Sequence, residues 1–296
     1  MATNKQTYRD NPLLKRVGVN LQYTQEQIDE YVKCSKDPIY FAKYIKIITL
    51  DHGLVPFEMY DFQKEMISTF HNNRFVITKC PRQVGKTTTS VCYLLWTVLF
   101  QDAQNIAILA NKGTTARDIL GKLQLAYENL PIWLQQGVTD WNKSYIELEN
   151  GSKITASSTS SSAARSGSYN IVFLDEFAFV PSNIATEFFT SVYPVITSGT
   201  KTKIIIVSTP NGMNLFYKLW MDSINKRNNY VSFEVHWSQV PGRDDQWKEE
   251  TIKNTSEHQF QQEFECVDGN TIVEIYDKKT KTYEKIRIVD LYDFLV

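Results

Sequence analysis

Cysteine is scarce in this sequence. Four occur among 296 residues (Cys34, Cys80, Cys92 and Cys266), no two form a C-x-x-C pair, and no histidine stands at ligand spacing from any of them. A zinc ribbon or disulfide framework is thereby excluded, and a reducing cytosol fits. Neither sign of charge is in excess: 32 Lys+Arg face 33 Asp+Glu, a formal net charge of −1. A uniformly basic nucleic-acid coat is therefore excluded, and any DNA contact has to use a local patch. Long apolar runs are missing as well. The longest uncharged stretch, about residues 87–100, is shorter than the roughly 20 residues that span a bilayer, so no membrane role is expected. The first twenty residues, punctuated by Lys5, Arg9, Asp10, Lys15 and Arg16, contain no signal-peptide core. Internal repeats are absent, and the only low-complexity stretch is the Ser-rich segment 159–168. What is present is 42% hydrophobic and 13% aromatic residues, enough to bury the core of one large domain with room for an appendage.

Residues 1–36 are polar and read as a flexible, loosely attached N-terminal segment, and 38–50 as a short amphipathic helix. From about residue 60, short apolar strands alternate with longer helical stretches. Strands are expected at 74–78, 105–110, 171–175, 203–208 and 230–236; helices follow Lys86 and occupy 114–129, about 213–224 and parts of 244–265. Segments 145–149 and 153–157 alternate around Asn150-Gly151, a hairpin signal. The alternation predicts an α/β fold, a mainly parallel sheet flanked by helices with right-handed crossovers.

Two motifs carry chemistry. Residues 80–87 read C-P-R-Q-V-G-K-T between a strand and a helix. Backbone N–H groups of the loop (Pro81 to Gly85) and of the helix start at Lys86, Thr87 and Thr88 can cradle phosphates. Lys86 brings a point charge to the β/γ-phosphates, and the Thr87 hydroxyl can ligate Mg²⁺. The usual first glycine is replaced by Cys80. About ninety residues on, the apolar strand Ile171–Leu174 runs into Asp175-Glu176. Asp175 is placed to hold Mg²⁺ and Glu176 to polarise the water attacking the γ-phosphate. Strand 203–208 ends in Ser208-Thr209-Pro210-Asn211-Gly212, whose small hydroxyls can sense that phosphate. Gln63, in Tyr60-Asp61-Phe62-Gln63, has an amide able to read an adenine edge. Transition-state charge calls for an arginine, and Arg82 in the loop and Arg165 in the Ser-rich segment are the candidates, acting in cis or across a subunit boundary.

In order and spacing these motifs resemble the large terminase subunit of tailed bacteriophages, the T4-like group especially. C-P-R-Q-V-G-K-T-T is similar to its deviant Walker A, I-V-F-L-D-E-F-A-F to its Walker B, S-T-P-N-G-M-N-L-F-Y-K-L-W to its coupling motif, and Y-D-F-Q-K to its adenine motif. The resemblance covers about residues 40–265. It implies a P-loop NTPase of the ASCE/RecA-like kind, with ATP and Mg²⁺ as cofactors, that drives double-stranded DNA into a preformed capsid. It implies a homo-oligomeric ring in the host cytoplasm, docked on a portal protein of the procapsid and assisted by a small terminase subunit. By position Lys86 and Thr87 bind phosphate and metal, Asp175 metal, Glu176 the water, and Arg82 or Arg165 is the finger. The family's ATPase is followed by a nuclease domain, and this sequence ends before one begins.

After Glu265 the chain changes character. Residues 266–296 open with Cys266-Val267-Asp268-Gly269 and continue as strand (271–276), polar turn, strand (283–288) and a short helical end. This segment resembles the N-terminal fragment of a split intein. The resemblance implies that the Cys266 sulfur attacks the Glu265 carbonyl to make a thioester, and that a companion chain supplies the remaining splicing groups and the nuclease half. The domains expected are thus 1–36, an ATPase domain at 37–265 and an intein fragment at 266–296. Two alternatives remain open at this point: a self-contained P-loop helicase or translocase with a native tail, and an inactive portal- or DNA-binding fragment.

Overall fold

The computed structural model describes residues 6–160, 167–197, 199–265, 272–277, 280–287 and 290. Strands β1 (Thr7–Tyr8) and β2 (Asn11–Lys15) form a hairpin whose turn residues Arg9 and Asp10 both have positive φ (49° and 60°), the twist that suits a two-residue turn. Helix α1 (Gln25–Lys36) starts in a capping box of Thr24 and Gln27 and buries Cys34. The Trp96 indole N–H donates to the Cys34 carbonyl at 2.7 Å, and Leu14 is buried. Residues 6–36 are therefore anchored to the body rather than loosely attached. Their polarity concealed a narrow apolar stripe, in which Tyr31 meets Phe100 edge-on at 5.2 Å.

The helix expected over 38–50 is only α2 (Pro38–Phe41), capped by Asp37, and a 3-10 turn at Ala42–Tyr44. The chain then becomes β3 (Lys46–Thr49), paired antiparallel with β4 (Gly53–Pro56). The β-branched run Ile45, Ile47, Ile48, Thr49 favours the strand over a longer helix.

The body follows in order as α3 (Asp61–Asn72), β5 (Phe75–Lys79), α4 (Lys86–Phe100), β6 (Asn105–Ala110), α5 (Gly113–Glu128), β7 (Val138–Trp141), β8 (Tyr145–Leu148), β9 (Lys153–Ser158), β10 (Ile171–Asp175), α6 (Ser182–Thr197), β11 (Lys203–Ser208), α7 (Leu215–Ile224) and β12 (Val231–Glu234). The C-terminal part adds α8 (Asp245–Asn254), α9 (Glu257–Phe260), a π turn at Gln261–Glu265, and the hairpin β13 (Ile272–Asp277) and β14 (Thr282–Arg287). The eight-stranded sheet has the order β12-β5-β11-β10-β6-β9-β8-β7; pairing is parallel from β12 to β9 and antiparallel through the last two strands. The α/β expectation holds, and one strand, β11, separates the loop strand β5 from the carboxylate strand β10. Helix α6 was not foreseen from the sequence.

Helices cover both faces, so β10 and β11 each carry four consecutive apolar residues rather than an alternation. Ile171 and Phe173 of β10, with Ile205 and Val207 of β11, face the core under α3, α4 and α5. Val172, Leu174, Ile204 and Ile206 face the second core, under α6 and α7. The period-two alternation in β10 thus aims Asp175, at its carboxyl end, at the α4 side.

Candidate nucleotide and metal site

The site lies where β5, β10 and β11 end. The loop after β5 is held at its base, where Cys80 N–H donates to the Ser208 carbonyl at 3.1 Å and Val235 N–H to the Lys79 carbonyl at 3.0 Å. At its exit Gly85 takes φ 76° as the residue before α4. A Cβ there would come 2.5 Å from Gln63 Nε2, so both the conformation and the approach require glycine. Helix α4 opens directly on the loop, and its free N–H groups and dipole favour an anion.

Lys86 is buried. Its Nζ pairs with Glu176 Oε1 at 2.7 Å and donates to Thr209 Oγ1 at 2.9 Å. Thr209 N–H donates to Glu176 Oε2 at 3.3 Å. The Ser208 hydroxyl, 3.4 Å from the same oxygen, gives its hydrogen to the Thr209 carbonyl at 2.8 Å and accepts from Ala178 N–H at 3.1 Å. Glu176 adopts φ 50°, ψ 42°, a left-handed conformation uncommon for a non-glycine residue and found at functional turns. Asp175 is only 4% exposed, and its Oδ1 has no hydrogen-bond partner among the described residues. Burial, reinforced by the neighbouring Glu176 charge, pushes its carboxyl up to about 7, against the pull of Lys86 and Lys122.

Lys86, Glu176, Ser208 and Thr209 are thus joined by direct contacts, with Asp175 next in chain to Glu176. Thr87 and Thr88 are half-buried in the first turn of α4; Pro81 and Val84 are buried in the loop, and Gln83 (φ 58°) is exposed on it. Gln63 is placed differently from an adenine reader. Its Oε1 accepts from Tyr60 N–H at 3.0 Å, its Nε2 donates to the Val84 carbonyl at 3.1 Å, and it is 3% exposed; it braces the loop. Arg82 turns away from Lys86, its Nε 2.6 Å from Glu263 Oε2 and its backbone N–H donating to the Glu263 carbonyl. Arg165 and Cys266 lie outside the described residues. Arg243 and Glu263 were missed by sequence reasoning. Arg243 donates to the carbonyls of Arg82 (3.3 Å) and Gln83 (3.0 Å), a contact across 160 residues that no local motif signals.

The fold and this edge constellation define a P-loop NTPase-like domain. Solved structures agree on the fold. The ATPase domain of the Thermus phage P74-26 large terminase aligns with a TM-score of 0.56 at 18% identity, over 71% of this chain and 95% of that one. The bacteriophage HK97 large terminase aligns at 0.65 and 15%, over 83% of this chain and 57% of that one. The large terminase of a further, thermophilic bacteriophage, in complex with ATP-gamma-S, aligns at 0.53 and 14%, over 70% and 52%. This chain therefore spans little more than half of the latter two. The family model for the T4likevirus-type terminase large subunit, N-terminal, matches residues 77–280. The chain belongs to that family.

Proposed function

We propose that the chain is the ATP-hydrolysing motor half of a phage DNA-packaging terminase. The observation that carries this reading is the buried Lys86–Glu176 pair beside the unpartnered Asp175 Oδ1, at the N-terminus of α4. ATP phosphates lie on the loop, where Lys86 exchanges Glu176 for the β/γ-phosphate oxygens. Glu176 Oε1, released, orients the attacking water and takes its proton. Thr209 touches both Lys86 and Glu176, so loss of the γ-phosphate is felt at the end of β11 together with Ser208. Arg82 has to leave Glu263 to reach a phosphate; Arg165 is the other finger candidate, in cis or from a neighbouring subunit.

The donor set suits Mg²⁺. Asp175 offers a buried carboxylate oxygen with no other partner among the described residues, and Thr87 a hydroxyl one residue into α4. A hard cation held by few side chains, phosphate oxygens and waters is the common Mg²⁺ arrangement. Bound there, it would neutralise phosphate charge. ATP-gamma-S and ADP complexes of the thermophilic bacteriophage's large terminase support nucleotide as the ligand. The cargo is double-stranded DNA, and the partners are a portal protein, a small terminase subunit and further copies of the chain in a ring, docked on the procapsid in the host cytoplasm. Among the described residues no helix is long and apolar enough to cross a membrane. The test is paired: Lys86→Ala should abolish hydrolysis, and Glu176→Gln should keep ATP binding while stopping turnover. An active Glu176→Gln protein would remove the water-activation role.

For residues 266–296 we propose a split-intein fragment that joins the motor half (37–265) to a nuclease half. The supporting observation is that β13 and β14 pair in a two-stranded sheet separate from the main one. In the first step the Cys266 sulfur bonds to the Glu265 carbonyl carbon, the C–N bond breaks, and the thiol proton passes to the freed amine. The family match runs on to residue 280, which favours a native tail as the competing outcome. Mixing with a companion fragment decides between them: Cys266→Ala should block ligation and leave the ATPase untouched, whereas ligation by that variant, or none by the wild type, would assign the segment to a native tail.

A further inference from the structure

Three consecutive carbonyls of the phosphate loop are each held by a side chain from a distant element. Arg243 Nη1 donates to the Arg82 carbonyl at 3.3 Å and Nη2 to the Gln83 carbonyl at 3.0 Å, while Gln63 Nε2 donates to the Val84 carbonyl at 3.1 Å. A trans peptide is planar, with its N–H antiparallel to its C=O. Pinning these carbonyls therefore turns the N–H groups of Gln83, Val84 and Gly85 away from the bracing side chains. Gln83, at φ 58°, has the left-handed conformation that lets successive N–H groups form an anion-binding concavity. A non-glycine residue keeps that conformation where its surroundings fix it.

Arg243 is itself fixed on both sides. Its backbone N–H closes a turn on the Val240 carbonyl at 3.1 Å, with Gly242 at φ 82°, and the next residue, Asp244, caps α8. The carbon of its half-buried guanidinium lies 4.8 Å from the Trp247 ring centroid and 5.6 Å from that of Phe264, and the two rings meet edge-on at 5.2 Å. Stacking on aromatic faces leaves the planar fork of donors free at its rim, and that rim meets the loop. Resting on the reading of this loop as the ATP phosphate cradle, we infer that Arg243 is a positioning residue for phosphate binding. It acts through the loop rather than on a phosphate, holding the Arg82–Gln83 and Gln83–Val84 peptide units so that their N–H groups face the anion. The turn before α8 thereby becomes part of the nucleotide site, although 160 residues separate Gln83 from Arg243.

Three variants of the full chain test this, read by displacement of a fluorescent ATP analogue with inorganic triphosphate and by the unfolding midpoint in denaturant. Arg243→Met keeps an unbranched side chain on the two rings and removes both donors. Arg243→Lys restores one charged donor but not the fork that reaches two carbonyls. Arg243→Ala removes packing and donors together. Triphosphate affinity should fall about 10-fold in Arg243→Met and Arg243→Ala, as when about a tenth of the loops keep the competent orientation, and by less in Arg243→Lys. The unfolding midpoint should follow a different order, near wild type in Arg243→Met and Arg243→Lys and lowered in Arg243→Ala. Unchanged triphosphate affinity in Arg243→Met, or affinity losses that track the unfolding midpoint across the three variants, would overturn the positioning role alone. A wild-type protein that binds neither triphosphate nor ATP would overturn the ATPase reading with it.

Discussion

The carboxyl edge of the main sheet and the hairpin β13–β14 contain strands of similar length with opposite surroundings. Around the phosphate loop, Ile205, Ile206 and Val207 are fully buried, and two loop-side residues are fixed by groups at the ends of other strands: Cys80 by Ser208, Lys86 by Thr209 and Glu176. In the hairpin Ile272 is 65% exposed and Tyr283 70%, and the strands pair with each other. An isolated two-stranded hairpin is marginally stable in water. The edge owes its shape to the fold around it, whereas the described residues of the hairpin pair with one another in a sheet of their own.

That contrast can be broken or sharpened by measurement. The largest effect belongs to the site. Glu176→Gln should lower ATP turnover by on the order of 10²–10⁴ with nucleotide affinity retained, measured by phosphate release and equilibrium binding. Next comes the core beneath it: Ile206→Ala should destabilise by about 2–5 kcal/mol in denaturant titration, whereas Tyr283→Ser in the hairpin should change the same transition by less than about 0.5 kcal/mol. An equal loss at both positions would erase the distinction.

A third effect is pH-dependent. The carboxyl of Asp175 is raised from 3.8 to about 7 in the fold, so between those values the folded state holds the extra proton. Stability should therefore fall as pH rises through this window, by up to about 1.4 kcal/mol per pH unit. In Asp175→Asn that component should vanish, which thermal melts from pH 4 to 8 would read as a flatter profile than wild type. The smallest effect belongs to the exposed clamp. Glu263→Gln should change stability by less than about 1 kcal/mol, as solvent-exposed ion pairs do, and a larger shift would show that Arg82 is held more firmly than its half-exposed side chain suggests.

What was legible in the sequence was local. The strands at 171–175 and 203–208 each carry four consecutive apolar residues ending in a polar one, and the loop with Lys86 is contiguous, so strand, turn and chemistry could be read together. The hairpin around Asn150-Gly151 followed from a turn that needs positive φ, and Gly151 has φ 78°. What escaped depended on distant partners. Gln63 braces a loop twenty-one residues ahead, and Arg82 answers to Glu263. The polar N-terminal segment is pinned by Gln135 and Glu149, which hold Lys15. Helix α6 carries Pro194 in its interior, which disguised it. In each case tertiary contact overrode or completed a weak local signal.

The grip of Glu263 on the phosphate loop has a mechanical side. Glu263 bonds Arg82 through both its carboxylate and its backbone carbonyl, and one residue, Phe264, separates it from Glu265. A pull applied at that junction therefore reaches the loop through a coiled tether that even fully drawn out spans no more than roughly 7 Å. So short a tether leaves little slack to absorb a displacement, and a load attached beyond Glu265 would register at the phosphates almost as directly as the phosphates register on the load.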